Sequence, residues 1–199
     1  MSAFLVLVVA FVAGSIPFSN LAARLTRGVD LRTVGTGTVS GTSLFRVAGF
    51  PALAVAGILD VGKGALGPAL AGGDHTTLAA FAGGLAVVGH NWSPFLRGAG
   101  GRGVAPAVGA LLVQAWPGAL LLLGGLVAGK AFRETGLGGF VAEVLLAPTL
   151  AVYGGAAGAL VGAAIALPML LKRVVGNSRP ARADARTYLT RLLYDREPA

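Results

Sequence analysis

The sequence predicts an all-α fold, a polytopic transmembrane helical bundle of seven spans, several of them short or broken. Three observations carry this expectation. Hydrophobic residues make up 55% of the 199-residue chain and charged residues only 12%, with a mean hydropathy of +0.77. Soluble domains carry roughly 25% charged residues. The apolar residues are gathered into long runs separated by short segments rich in Gly and Arg. Finally, the basic residues fall on one side of a bilayer with seven spans and not with five. Such a chain lacks the polar surface of an ordinary soluble enzyme and is too hydrophobic to be disordered.

The first apolar run covers residues 2–23 and is interrupted by Gly14-Ser15-Ile16-Pro17. It lacks the basic leading region of a signal peptide, so it reads as a proline-broken membrane helix. The second run covers 49–71 and the third 78–96. Residues 104–131 number 28, about 42 Å as one helix. Residues 139–171 number 33, about 50 Å. The hydrocarbon core is about 30 Å thick, so each stretch is long for one span and short for two. Each has a break near its middle, Trp116-Pro117 and Gly154-Gly155.

Charge chooses between the counts. With both stretches split, the loops 24–48, 97–103 and 130–138 and the tail from 172 share one side. Every Lys and Arg except Lys63 then lies on that side, and the other side has none. With five spans, Lys130 and Arg133 would fall outside. The expectation is therefore a multi-pass protein with the N-terminus outside and the C-terminus cytoplasmic, its short helices tilted or shielded. Residues 1–171 form the membrane domain and 172–199 a basic cytoplasmic tail. Within the tail, 183–193 is amphipathic, with Tyr188, Leu189, Leu192 and Leu193 on one side. The segment reads as a solvated tail held near anionic membrane lipid.

The chain has no cysteine, which excludes disulfides, a thiolate nucleophile and Cys-ligated metal. His75 and His90 make no metal cluster, so neither metal nor cofactor is expected. The net charge of +8 sits between apolar runs without interleaved aromatics, so nucleic acid is not an expected partner.

Two inner loops carry the chemistry. One reads Gly35-Thr36-Gly37-Thr38-Val39-Ser40-Gly41-Thr42-Ser43-Leu44-Phe45-Arg46, the other Arg97-Gly98-Ala99-Gly100-Gly101-Arg102-Gly103-Val104. Glycines let backbone N–H groups converge on an anion, hydroxyls donate, and Arg offers a forked charge. Both loops suit phosphate, although glycines also serve simply to turn a chain between spans. Asp60, Lys63 and Glu143 lie inside apolar runs, where charges are paired or functional. Asp60 and Lys63 are three apart and can neutralise each other on one helix face, leaving Lys63 to fix packing or to face a polar cavity. Glu143 lies about one turn into its span, where it can snorkel inward. His90 lies near the inner end of the third span, as a structural residue or one that positions a substrate.

These residues resemble the acyl-phosphate-dependent glycerol-3-phosphate acyltransferases, the PlsY family. Gly14-Ser15-Ile16-Pro17-Phe18 is similar to the family's opening, and residues 35–46, GTGTVSGTSLFR, to its loop of the type GSGNxGATNxxR. Asp60-Val61-Gly62-Lys63-Gly64 resembles its DxxKG. Gly89-His90-Asn91-Trp92-Ser93-Pro94-Phe95, with Gly100-Gly101-Arg102-Gly103-Val104-Ala105, resembles its GHxxPxFxxFxGGKGVA. The resemblance implies a bacterial inner-membrane enzyme that moves an acyl chain from acyl phosphate to glycerol 3-phosphate, giving lysophosphatidate for phospholipid synthesis. It implies Arg46, Lys63 and Arg102 as phosphate-binding cations and Thr36 and His90 as catalytic positions. Gly35, Gly37, Thr38, Gly41, Thr42, Ser43, Gly100, Gly101 and Gly103 complete the implied substrate-binding set. Acyl phosphate is already activated, so proximity and charge stabilisation suffice without a Ser or Cys nucleophile.

The chain departs from the family pattern at several places. Thr38 and Ser43 stand for two Asn, Gly41 for Ala and Arg102 for Lys. Gly136-Leu137-Gly138-Gly139 stands for a Ser-rich motif. Of the family's motif after the last span, the stretch 172–178 keeps Asn177. Two other readings stay open at this point: a divergent member with another acceptor or no catalysis, and a small transporter of a phosphorylated solute.

Overall fold

The computed structural model describes residues 1–178, 180 and 183–196, and among these it contains eight helices and no strand. They are α1 (Ala3–Ser15), α2 (Phe18–Arg27), α3 (Gly41–Ala71), α4 (Thr76–Asn91), α5 (Val104–Gln114), α6 (Trp116–Ala131), α7 (Thr135–Val175) and α8 (Ala185–Tyr194). Single 3-10 turns occupy Leu31–Thr33 and Pro94–Leu96. α1 and α2 part at Pro17, whose missing N–H cannot continue the ladder. α3 starts earlier than its apolar run and bends at Gly49, where φ is +78°.

Both long stretches divide at their expected breaks. α5 ends at Gln114 and α6 begins at Trp116 with Pro117 in its first turn, where the absent N–H would be unpaired anyway. α7 spans 41 residues but leaves helical geometry at Gly154 and Gly155, the latter with φ +57°. Its two arms fold back on each other. A Cβ on Gly158 would lie 2.1 Å from the Leu150 carbonyl oxygen, and one on Gly162 would lie 2.5 Å from the Ala147 Cα. Three stretches, Ala3–Arg27, Gly41–Ala71 and Thr135–Val175, are long and apolar enough to cross a bilayer, and Val104–Gln114 and Trp116–Ala131 are shorter apolar helices; with α4 and with α7 divided into two arms, seven helical segments correspond to the seven expected passes.

Helix association here depends on small residues. Lipid tails are as apolar as leucine, so burying large apolar side chains gains little inside a bilayer and close backbone packing matters more. The buried set is accordingly rich in Ala, whereas Phe4, Val127 and Val152 are at least 70% exposed on the outer surface. α3 and α5 meet through a reciprocal glycine contact. A Cβ on Gly64 would lie 2.0 Å from the Pro106 oxygen, and one on Gly109 would lie 1.9 Å from the Val61 oxygen. At the end that carries the glycine-rich loops, buried Ala23, Leu31, Val39, Leu44, Ala56 and Leu96 pack as one cluster. This apolar knot fixes the two loops against each other.

The C-terminal segment is more ordered than a solvated tail. α7 runs through residue 171 to Val175, with Lys172 and Arg173 buried. α8 then packs beside α7 by its polar side, burying Thr187 and Arg191 and leaving Tyr188 and Leu189 exposed. The cause is the end of α7, whose last carbonyls lack helical donors. Arg191 donates to the Val175 and Ser178 oxygens, each at 3.2 Å. Arg179 and Arg182 lie outside the described residues. Glu143 does not snorkel. It accepts a bidentate pair from Arg173, Nε to Oε2 at 2.7 Å and Nη2 to Oε1 at 2.9 Å.

Candidate active site

The first loop is anchored before it reaches its glycines. Asp30 caps the turn Leu31–Thr33 and is gripped by Arg32 and Arg24. The Arg32 hydrogen bonds, ahead of those from Arg24, hold its carboxyl well below the usual carboxylate range. The buried Asn20 side chain accepts from the Leu31 N–H at 2.7 Å. Gly35 and Gly37 then turn the chain at φ +56° and +69°, conformations that side chains with a Cβ rarely adopt. Thr36 projects between them, exposed, its Oγ1 3.0 Å from Thr38 Oγ1. Val39 N–H donates to the Gly100 carbonyl at 3.1 Å, so the two loops touch directly.

The remaining residues of this loop serve helix initiation. Ser40 caps α3 by accepting from Ser43 N–H at 3.2 Å, and Ser43 Oγ donates to the Thr38 carbonyl at 3.0 Å. A Cβ on Gly41 would come within 2.9 Å of Leu53. Thr42 and Arg46 are exposed on the first turns of α3 and line neither cleft described below.

The second loop is fixed by its own N–H groups. Gly101 N–H donates to the His90 carbonyl at 3.1 Å, Gly100 N–H to Asn177 Oδ1 at 3.1 Å, and Gly98 N–H to the Ser93 carbonyl at 2.9 Å. Gly37 N–H likewise donates to Val34 at 3.0 Å. These four glycine N–H groups are engaged inside the protein. The backbone nest expected from the glycine pattern is therefore not made from them, and the contribution of these residues is shape. Gly103, at φ +79°, opens α5. Asn177 fastens both loops at once, donating to the Gly37 oxygen at 3.1 Å and to the Gly100 oxygen at 2.8 Å.

Two clefts flank the 100–103 segment. The first is lined by Ser15, Ser19, Asp60, Lys63, His90 and Gly101 among others. Lys63 Nζ lies 2.7 Å from Asp60 Oδ1 and donates to the Ile16 oxygen at 2.6 Å. That carbonyl is available because the helix breaks at Pro17. Its neighbour, the Ser15 oxygen, accepts from Ser93 Oγ at 2.6 Å. Ser19 donates to Asp60 Oδ2 at 3.1 Å, and His90 Nδ1 is 3.9 Å from Asp60 Oδ1. The expected Asp60–Lys63 pair thus forms, and Lys63 borders a polar cavity as well as fixing packing. The second cleft is lined by Thr36, Arg102, Asn177, Arg191, Asp195 and Arg196 among others. Arg102 Nη1 donates to the Lys172 oxygen at 2.9 Å, and its Nε lies 2.7 Å from Asp195 Oδ1.

The structure thus joins Lys63 with His90 in one cleft, beside Gly100 and Gly101, and Thr36 with Arg102 in another. Spacing in the sequence did not reveal this partition. Nor did it reveal Asp195, whose carboxylate reaches Arg102 from the end of α8.

The whole helical core is shared with known proteins. Residues 4–179 match the family model described as glycerol-3-phosphate acyltransferase. A glycerol-3-phosphate acyltransferase of Parasynechococcus marenigrum (strain WH8102) is 36% identical over 176 residues, 87% of this chain and 83% of that protein. Glycerol-3-phosphate acyltransferase 2 of Moorella thermoacetica is 44% identical over 156 residues, 75% of this chain and 77% of that protein. A crystal structure of PlsY, an integral membrane glycerol 3-phosphate acyltransferase in its glycerol 3-phosphate form, superimposes with a TM-score of 0.81. It is 27% identical, and the match covers 100% of this chain and 95% of that one.

Proposed function

The chain belongs to the glycerol-3-phosphate acyltransferase family and is an integral membrane glycerol-3-phosphate acyltransferase, and we propose that it takes the acyl group from an acyl phosphate at the 100–103 segment, which both clefts touch. Family membership decides against the transporter reading. What supports a two-phosphate site is the pairing of clefts across residues 100–103, with Lys63 in one and Arg102 in the other. Arg102 and Thr36 hold the phosphate of glycerol 3-phosphate. The cleft of Lys63 and His90 receives the acyl phosphate group, and exposed Arg46 guides the anions inward. The flanking Gly35, Gly37, Thr38, Gly41, Thr42, Ser43, Gly100, Gly101 and Gly103 shape the two loops.

In the step itself, the 1-hydroxyl oxygen of glycerol 3-phosphate bonds to the acyl carbonyl carbon. The bond from that carbon to the phosphate oxygen breaks, and phosphate departs with the electron pair. The hydroxyl proton passes to the departing phosphate, so the products are lysophosphatidate and inorganic phosphate. Catalysis then consists of holding two anions in line and stabilising their charge. The one-sided distribution of Lys and Arg supports a bacterial inner-membrane location, with the loops and C-terminus cytoplasmic and the N-terminus outside.

Protein purified into lipid vesicles tests the donor. Acyl phosphate and glycerol 3-phosphate should give lysophosphatidate and phosphate in equal amounts. Product formed from an acyl thioester but not from acyl phosphate would refute the assignment.

A further inference from the structure

Beside Arg102 lies a buried charge with no carboxylate paired to it among the described residues. Lys172 is 0% exposed, and its ammonium has no hydrogen-bond partner. It stands over the Trp92 ring at 5.1 Å. The carboxylates at this end are engaged elsewhere: Asp60 by Lys63, Glu143 by Arg173, Asp30 by Arg24 and Arg32, and Asp195 by Arg102. A buried ammonium without a partner is expensive, and such charges persist where a ligand completes them.

The count of charges points to the ligand. Arg102 donates to the main-chain oxygen of Lys172 at 2.9 Å, so two cations sit on joined segments. Arg191 and Arg196 also line the second cleft, whose carboxylate, that of Asp195, faces Arg102. A phosphomonoester carries about −2 at neutral pH and three acceptor oxygens, which suits this excess of cations better than a single carboxylate does. Asp195 and Arg102 both line the second cleft, and Lys172 is not among its lining residues. Asp195 ends α8 in a left-handed conformation, φ +53°, uncommon for a residue other than glycine.

We propose that Lys172 is a substrate-binding residue: with Arg102 it forms a two-cation cup that takes the phosphate of glycerol 3-phosphate in exchange for the Asp195 carboxylate. This rests on the reading of the Arg102 cleft as the phosphate site.

The test separates binding from structure. Lys172→Met keeps the aliphatic stem beside Trp92 and removes the charge. It should raise KM for glycerol 3-phosphate at least tenfold, with kcat and the KM for acyl phosphate changing less than threefold. Its melting temperature should stay or rise, because an uncompensated buried charge is gone. An unchanged KM for glycerol 3-phosphate, with or without a fall in melting temperature, overturns the proposal. Asp195→Asn should lower that KM severalfold by removing the competing charge, and an unchanged or higher KM overturns the exchange. If Arg102→Ala leaves KM unchanged while Lys172→Met raises it, the cleft assignment fails and the role of Lys172 stands. If the wild type makes no lysophosphatidate, calorimetric binding of glycerol 3-phosphate to wild type and Lys172→Met decides the cup independently of the reaction. Equal affinity of the two overturns it, and loss of binding in the variant supports it.

Discussion

Replacing Glu143 by leucine isolates the strongest polar contact between the arms of α7. The two side chains of the Glu143–Arg173 pair are 1% and 4% exposed. Arg173 makes three described hydrogen bonds, two to the carboxylate and one from Nη1 to the Gly136 oxygen at 3.0 Å. Glu143→Leu leaves a buried guanidinium with that single carbonyl. Stranding one member of a buried pair costs about 3–5 kcal/mol, roughly a 10²- to 10⁴-fold shift toward unfolding. Replacing both members by apolar residues is often nearly neutral, because the pair's attraction mainly offsets its own desolvation. Glu143→Leu with Arg173→Met should therefore recover most of the loss. Titration with denaturing detergent, followed by circular dichroism in one fixed lipid–detergent mixture, measures both variants. A single variant costing less than about 1 kcal/mol, or a double variant as unstable as the single, would refute the reasoning from a stranded buried charge.

The other predictions concern packing, topology and the loop fastening. Gly109→Ala, which places a Cβ 1.9 Å from the Val61 oxygen, should destabilise the bundle by about 1–3 kcal/mol or more. Gly124→Ala meets nothing within 4 Å and should stabilise α6 by roughly 0.5–1 kcal/mol, so equal melting temperatures for the two variants would contradict the α3–α5 contact. Reporter fusions after Arg46, Arg102 and Arg133 should read cytoplasmic and one at Asp74 outside; an outside reading near Arg133 sinks the orientation. Asn177→Asp cannot donate to the Gly37 and Gly100 carbonyls and should cut acyl transfer at least tenfold with the fold intact by circular dichroism, whereas wild-type turnover would show that the loops hold without it.

Most of the bundle was legible because its breaks are chemical. Proline at 17 and 117 and glycine at 154–155 interrupt helices wherever they fall, and the parity of Lys and Arg supplied the count. The Asp60–Lys63 pair was legible because helical spacing of three places both charges on one face. Contacts across distant segments were not. Glu143 and Arg173 are 30 residues apart, and only the hairpin at Gly154–Gly155 makes them neighbours. The two glycine loops suggested a backbone cradle, yet the N–H groups of Gly37, Gly98, Gly100 and Gly101 are taken up inside the protein. No local pattern reports which partner a glycine N–H will find. The amphipathic pattern of 183–193 gave a helix but not its packing on α7, which comes from Arg191 reaching the Val175 and Ser178 carbonyls.

The reach of Asn177 sets the order in which the enzyme can become active as it is made. Its amide holds Gly37, 140 residues earlier in the chain, and Gly100, 77 residues earlier. At synthesis rates of about 5–20 residues per second, something on the order of 10 s separates the emergence of the first loop from that of its clasp. Through that interval the nascent chain already exposes Arg46 and the glycine turns at the membrane surface, but they stand unclasped. The last two passes enter as a hairpin, and only after them does residue 177 arrive. A chain cut short before residue 177 should therefore insert its early passes yet lack acyl transfer, and turnover by such a truncated chain would show that the clasp is dispensable.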